Sequence, residues 1–123
     1  MAITQFVSSS DKKENSKLDA FLGDIDLNRL NAQSLLQKDH QAEYGQFFTP
    51  PLVSGLMASM FAFYKNKIHV VDPGAGVGSL SAAFIARVIT DPRCPKEISL
   101  TAYECDKDLL KYLNNTLLRC KSL

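Results

Sequence analysis

The sequence predicts an α/β chain, the opening portion of a parallel sheet preceded by helices. Two observations carry this. Two short β-rich runs, Lys67–Asp72 and residues 97–104, flank an alanine-rich apolar helix at residues 80–89. A second helix then follows, so the order is strand–helix–strand–helix, which is how a parallel sheet begins.

The elements follow from local pattern. Residues 1–15 end in Ser8-Ser9-Ser10-Asp11-Lys12-Lys13-Glu14-Asn15, a polar run that predicts a mobile arm, leaving 16–123 as one folded portion. Residues 16–22 predict a short helix closed by Gly23. A second helix is expected over about 27–42, with Asp24 or Asp26 as its cap and Gly45 just past its end. Leu52, Val53, Leu56, Met57, Met60, Phe61 and Tyr64 recur at helical spacing and predict a core-facing stripe. Thr49 is the expected cap of that helix, with Pro50 or Pro51 in the first turn, where the missing N–H costs nothing. Lys67–Asp72 is β-branched, stops at Pro73-Gly74 and reads as a buried strand. Asp91-Pro92-Arg93-Cys94-Pro95 is a loop, since no helix interior holds two prolines. Residues 97–104 alternate Ile98, Leu100 and Ala102 against Ser99, Thr101 and Tyr103. Residues 106–119 then place Leu109, Leu110, Leu113 and Leu117 on one side of a helix.

Composition narrows the class. Hydrophobic residues make up 46% of the chain, enough for a packed core. The net charge is +1, from 14 basic and 13 acidic residues, so the chain lacks the basic excess of a DNA-gripping module. Three cysteines with no C-x-x-C pair predict free thiols and a cytoplasmic setting. His40 and His69 read as ordinary histidines, and no metal site is expected. No signal peptide or membrane span is expected either.

The sharpest feature is Val70-Val71-Asp72-Pro73-Gly74-Ala75-Gly76-Val77-Gly78-Ser79, a strand that runs into a glycine turn and opens a helix. Glycines there let the backbone turn tightly and approach a ligand at the carboxyl end of the strand. A dinucleotide loop needs G-x-G-x-x-G, and Ser79 stands where the third glycine belongs. A phosphate loop needs Gly-Lys-Ser/Thr, which is missing. Asp72 at the loop's mouth would repel a pyrophosphate. The same carboxylate suits a ligand bearing an ammonium and a sulfonium, and S-adenosyl-L-methionine carries both. Glu104 closes the next strand, where a carboxylate accepts hydrogen bonds from ribose hydroxyls. A purely structural glycine turn is the competing reading, and it leaves both acids without a role.

These residues resemble motif I and the acidic motif II of class I methyltransferases. Ala42-Glu43-Tyr44-Gly45-Gln46-Phe47-Phe48-Thr49-Pro50-Pro51 closely resembles motif X, which precedes motif I in gamma-class N6-adenine DNA methyltransferases of restriction–modification systems. The resemblance covers about residues 40–110. It implies a Rossmann-like fold and methyl transfer to N6 of adenine. It also implies S-adenosyl-L-methionine contacts at Phe48, Thr49, Asp72, Pro73, Gly74, Ala75, Gly76, Gly78, Glu104 and Cys105. Thr49 would meet the methionine end near a helix N-terminus. A hydrophobic staple fixing the helix entry uses the same residue types and stays open.

The family also carries an Asn/Asp-Pro-Pro-aromatic tetrad that holds the flipped adenine. The one Pro-Pro here, Thr49-Pro50-Pro51-Leu52, is not that tetrad. The expectation is therefore an N-terminal part that stops before the catalytic motif, has no catalytic residue of its own and meets DNA through the remainder of the enzyme. A half-sheet with an open edge further predicts a homodimer of the fragment. Two alternatives stand beside this: a methyltransferase acting on RNA or protein, and a non-catalytic methyltransferase-like interaction module.

Overall fold

The computed structural model describes residues 2–8, 15–36, 48–62 and 65–123. Among these, three strands and four helices follow in order: β1 (Ala2–Ser8), α1 (Asn15–Leu35), α2 (Pro51–Ser59), β2 (Lys67–Asp72), α3 (Ser79–Thr90), β3 (Glu97–Tyr103) and α4 (Leu110–Lys121).

The sheet order is β1-β3-β2. β2 and β3 run parallel, with Asp72 opposite Ala102, as the strand–helix–strand pattern predicts. β1 pairs antiparallel with β3, Ala2 opposite Tyr103 and Ser8 opposite Glu97. This corrects the expectation of a mobile arm over 1–15: Ile3-Thr4-Gln5-Phe6-Val7 is a β-prone run, and β3 offers it a full ladder. The polar stretch 9–14 lies outside the described residues.

β3 shows the anticipated alternation, with Ile98, Leu100 and Ala102 fully buried. They meet Phe84, Ile85 and Val88 of α3 and Leu113 and Leu117 of α4 in the main core. β2 differs from expectation. It is an edge strand whose residues alternate between exposed and half-buried, and Val71 is exposed. On the face that carries His69, its Nε2 and Thr101 Oγ1 share a hydrogen bond of 2.9 Å, and Lys67 pairs with Glu97 at 2.7 Å.

α1 is one helix that runs through Gly23, not two that break there. The reason is packing. Leu18, Phe21, Ile25, Asn28 and Ala32 form one seam that spans the glycine, and it outweighs the roughly 1 kcal/mol cost of glycine in a helix. Residues 37–47, including the expected helix end near Ala42 and the Gly45 stop, lie outside the described residues.

α2 reverses the expected orientation of its stripe. Its buried residues are Ser54 and Ala58, while Leu52, Leu56 and Met60 are 89%, 67% and 79% exposed. Small residues allow α2 close to the alanine-rich α3, and the large side chains turn outward. Phe61 lies edge-on to Phe84, with ring centroids 5.0 Å apart. Tyr64 lies outside the described residues. The cap of α2 is Pro50, with Pro51 in the first turn, so Thr49 stands one residue before the cap. Leu109, Leu113 and Leu117, which an open half-sheet would leave bare, are buried.

Polar contacts dock α1 on α4. Asn28 Nδ2 donates to the Tyr112 carbonyl at 2.9 Å and to Thr116 Oγ1 at 3.0 Å, and Asn28 Oδ1 accepts from Asn115 Nδ2 at 3.3 Å. Arg119 pairs with Asp24 nearby. No described helix is long and apolar enough to cross a membrane.

Candidate functional site

The glycine turn, residues 73–78, joins β2 to α3. Gly76 and Gly78 have φ of +55° and +83°, a region L side chains rarely adopt. Gly74 has no such constraint, and a side chain there would meet open space. Two of the three glycines are therefore dictated by the turn itself.

The end of β3 stitches this loop in place. The Ala75 N–H donates to the Tyr103 carbonyl at 3.0 Å, and the Gly76 N–H donates to Glu104 Oε2 at 2.8 Å. Glu104 Oε1 accepts from the Asp106 N–H at 2.7 Å. One carboxylate thus ties the loop to the approach of α4, and Asp106 Oδ1 accepts from Asp108 N–H at 2.9 Å. A carboxylate has about four acceptor positions and can serve several donors at once.

Asp72 is placed differently from the sequence-based picture. Its Oδ2 accepts a 2.6 Å hydrogen bond from Ser81 Oγ, so it is engaged with the first turn of α3. Gly78 turns its back on the loop's open side. Its N–H donates to the Ala75 carbonyl at 2.7 Å, and a Cβ there would stand 2.8 Å from Thr116 Cγ2 and 3.1 Å from Leu113 Cδ1.

Phe48 reaches the loop: its ring edge lies 3.6 Å from where a Cβ of Gly76 would stand. It packs with Ala32, Val77, Leu109 and Tyr112, joining α1, the loop and the start of α4. The expected site residues divide between two concavities. Pro73, Gly74, Tyr103, Glu104 and Cys105 line one of about 260 Å³ at the carboxyl ends of β2 and β3. Thr49 lines the other, about 250 Å³ between α1, α2 and α3, together with Ser79, Leu22, Ile25 and Ala83. Ser79 Oγ is buried without a hydrogen-bond partner there. Gly76 lies against the Phe48 ring and donates its N–H to Glu104.

Ser81, Tyr103 and the Asn28–Thr116 pair were not singled out from sequence. Only Ser81 carries a local signal, a hydroxyl in the first turn after an acid-headed glycine loop. Among the described residues no group of three or more His, Cys, Asp or Glu side chains could hold a metal ion.

A carboxylate beside a tight glycine turn at the end of parallel strands suits a small ligand with hydroxyl or cationic groups. The family model described as N-6 DNA Methylase matches residues 32–112. The Type II methyltransferase M.BsuBI of Bacillus subtilis is 42% identical over 94 residues, covering 76% of this chain and 18% of that protein. The Type II methyltransferase M.PstI of Providencia stuartii is 37% identical over 97 residues, covering 79% of this chain and 19% of that protein. The chain thus spans less than a fifth of the length of either relative, and no solved structure gives a significant match. Its matched segment takes in Phe48, the glycine loop and Glu104, and the chain belongs to the N-6 DNA methylase family.

Proposed function

We propose that this chain is the cofactor-binding part of a restriction–modification DNA methyltransferase, built on the Rossmann-like class I methyltransferase sheet, that modifies N6 of adenine with S-adenosyl-L-methionine. The observation that carries the reading is Glu104 bonded to the Gly76 N–H beside Phe48, a carboxylate on a tight glycine turn. The bound cofactor supplies an electrophilic methyl group on a sulfonium. Glu104 accepts from the ribose hydroxyls, the role a carboxylate at the end of the adjacent strand suits. Pro73, Gly74 and Cys105, which share its concavity, form the floor beside it, while Ala75 and Gly76 supply the loop backbone. Phe48 shields the loop from water. Thr49 and Ser79 offer hydroxyls on the opposite side, toward the methionine end.

In this reading Asp72 holds the first turn of α3 through Ser81, and its negative charge favours the cationic ligand. Gly78 shapes the turn from behind. Methyl transfer and DNA contact belong to segments beyond these residues, because no Asn/Asp-Pro-Pro-aromatic tetrad stands in this sequence. The chain by itself forms no N6-methyladenine, works in the cytoplasm, and self-associates as a dimer through the exposed face of α2.

Isothermal titration calorimetry tests the core of this. The chain should bind S-adenosylmethionine and S-adenosylhomocysteine, and Glu104→Ala should weaken both. Equal binding by the parent and Glu104→Ala would move the site elsewhere.

A further inference from the structure

We propose that Asn28 and Thr116 are positioning residues for the glycine loop, acting from the side opposite its ligand. The inference rests on the reading that this loop binds the cofactor. It adds two residues, from α1 and α4, that no local motif includes.

The argument begins with Thr116. It is fully buried, and its Cγ2 fills the space where a Cβ of Gly78 would stand, at 2.8 Å. Gly78 closes the turn through its bond to Ala75, so whatever fixes Gly78 fixes the turn that presents Gly76 to Glu104. Threonine in a helix divides between two rotamers, because its hydroxyl can bond the carbonyl one turn earlier. Here that carbonyl belongs to Tyr112. Asn28 Nδ2 donates to the Tyr112 carbonyl and to Thr116 Oγ1 at once. It thereby selects the rotamer that points the methyl at Gly78. Asn115 holds the Asn28 amide in that orientation by donating to its oxygen. The chain of contact runs from α1 through Asn28 and Thr116 to Gly78, with Asn28 and Thr116 lying 88 residues apart in sequence.

The rotamer argument makes an unusual double variant informative. In Thr116→Val both branches are methyls, so Gly78 is filled in either rotamer and the lock is no longer needed. Asn28→Ala alone should move the Gly76 and Gly78 amide resonances in a ¹⁵N-labelled chain. It should also weaken S-adenosylmethionine binding by roughly tenfold, within the range for residues that modulate a site without touching the ligand. Adding Thr116→Val to Asn28→Ala should restore both the resonances and the affinity, although stability remains lowered. Unchanged resonances in Asn28→Ala, or a double variant no better than the single one, overturns the proposal. Should Asn28→Ala not fold, the Thr116 variants decide: Thr116→Ser, which keeps the hydroxyl, should perturb the loop more than Thr116→Val, and the reverse order overturns it. Absence of cofactor binding in the parent would refute the functional reading. The loop resonances would still decide the brace.

Discussion

The carboxylate of Glu104 accepts a 2.8 Å hydrogen bond from the backbone N–H of Gly76, 28 residues earlier in the chain. Its other oxygen takes the Asp106 N–H. Glu104→Ala leaves two part-buried donors without their acceptor, so it should lower stability by about 1–3 kcal/mol. Glu104→Gln keeps one acceptor and should recover part of the loss. Urea denaturation midpoints of the three proteins measure this, and an Ala variant as stable as the parent would contradict it.

Two glycines should respond in opposite directions to the same change. At Gly78 a side chain meets both a positive φ and the Thr116 methyl. Gly78→Ala should cost about 2–4 kcal/mol, combining left-handed strain with overpacking. Gly23 lies within α1 with nothing within 4 Å of an added Cβ. Gly23→Ala should therefore stabilise by about 0.5–1 kcal/mol. Thermal melts of the two variants give the signs directly.

Asp91 makes stability depend on acid. The Arg93 N–H bonds its carboxylate, the Arg93 and Arg87 side chains add to this, and its pKa falls from 3.8 to about 2. A carboxylate held below its unfolded value stabilises the fold fully above pH 3.8, and that stability is lost as the pH falls through about 2. Denaturant titrations across this window should show Asp91→Asn with a shallower pH dependence than the parent. Parallel curves would show that Asp91 does not contribute.

The three thiols should separate by accessibility. Cys105 is exposed, Cys94 is half-buried, and burial raises the Cys120 thiol to about 12. Alkylation at neutral pH followed by mass spectrometry should label Cys105 first, and Cys120 only after unfolding. Early labelling of Cys120 would mean that α4 opens readily.

The outward face of α2 should govern self-association. Leu52, Leu56 and Met60 are exposed there and contribute little to the core. Light scattering at micromolar concentration should give a dimer mass for the parent. Leu52→Ser, Leu56→Ser and Met60→Ser together should give a monomer with little change in melting temperature. A monomeric parent would remove the proposed dimer.

The sequence by itself determined the central β2–α3–β3 unit, because its signals are local. The glycine turn needs residues that accept positive φ, and the alternation of Ile98, Leu100 and Ala102 defines a buried face whatever packs on it. Glu104 was legible as a neighbour of the glycine turn because it follows directly on the adjacent strand. The tertiary structure decided what each surface meets. α1 crosses Gly23 because its seam has a continuous partner surface, and α2 turns its large side chains outward because the small Ser54 and Ala58 permit a close approach to α3. β1 forms because β3 has an edge to offer. Asp72 turns to Ser81, and Thr116 fills the space behind Gly78, through neighbours supplied by other elements. Periodicity along a chain records which side of an element is apolar. It does not record the distance of approach or the identity of the partner, and those fixed the rest of this fold.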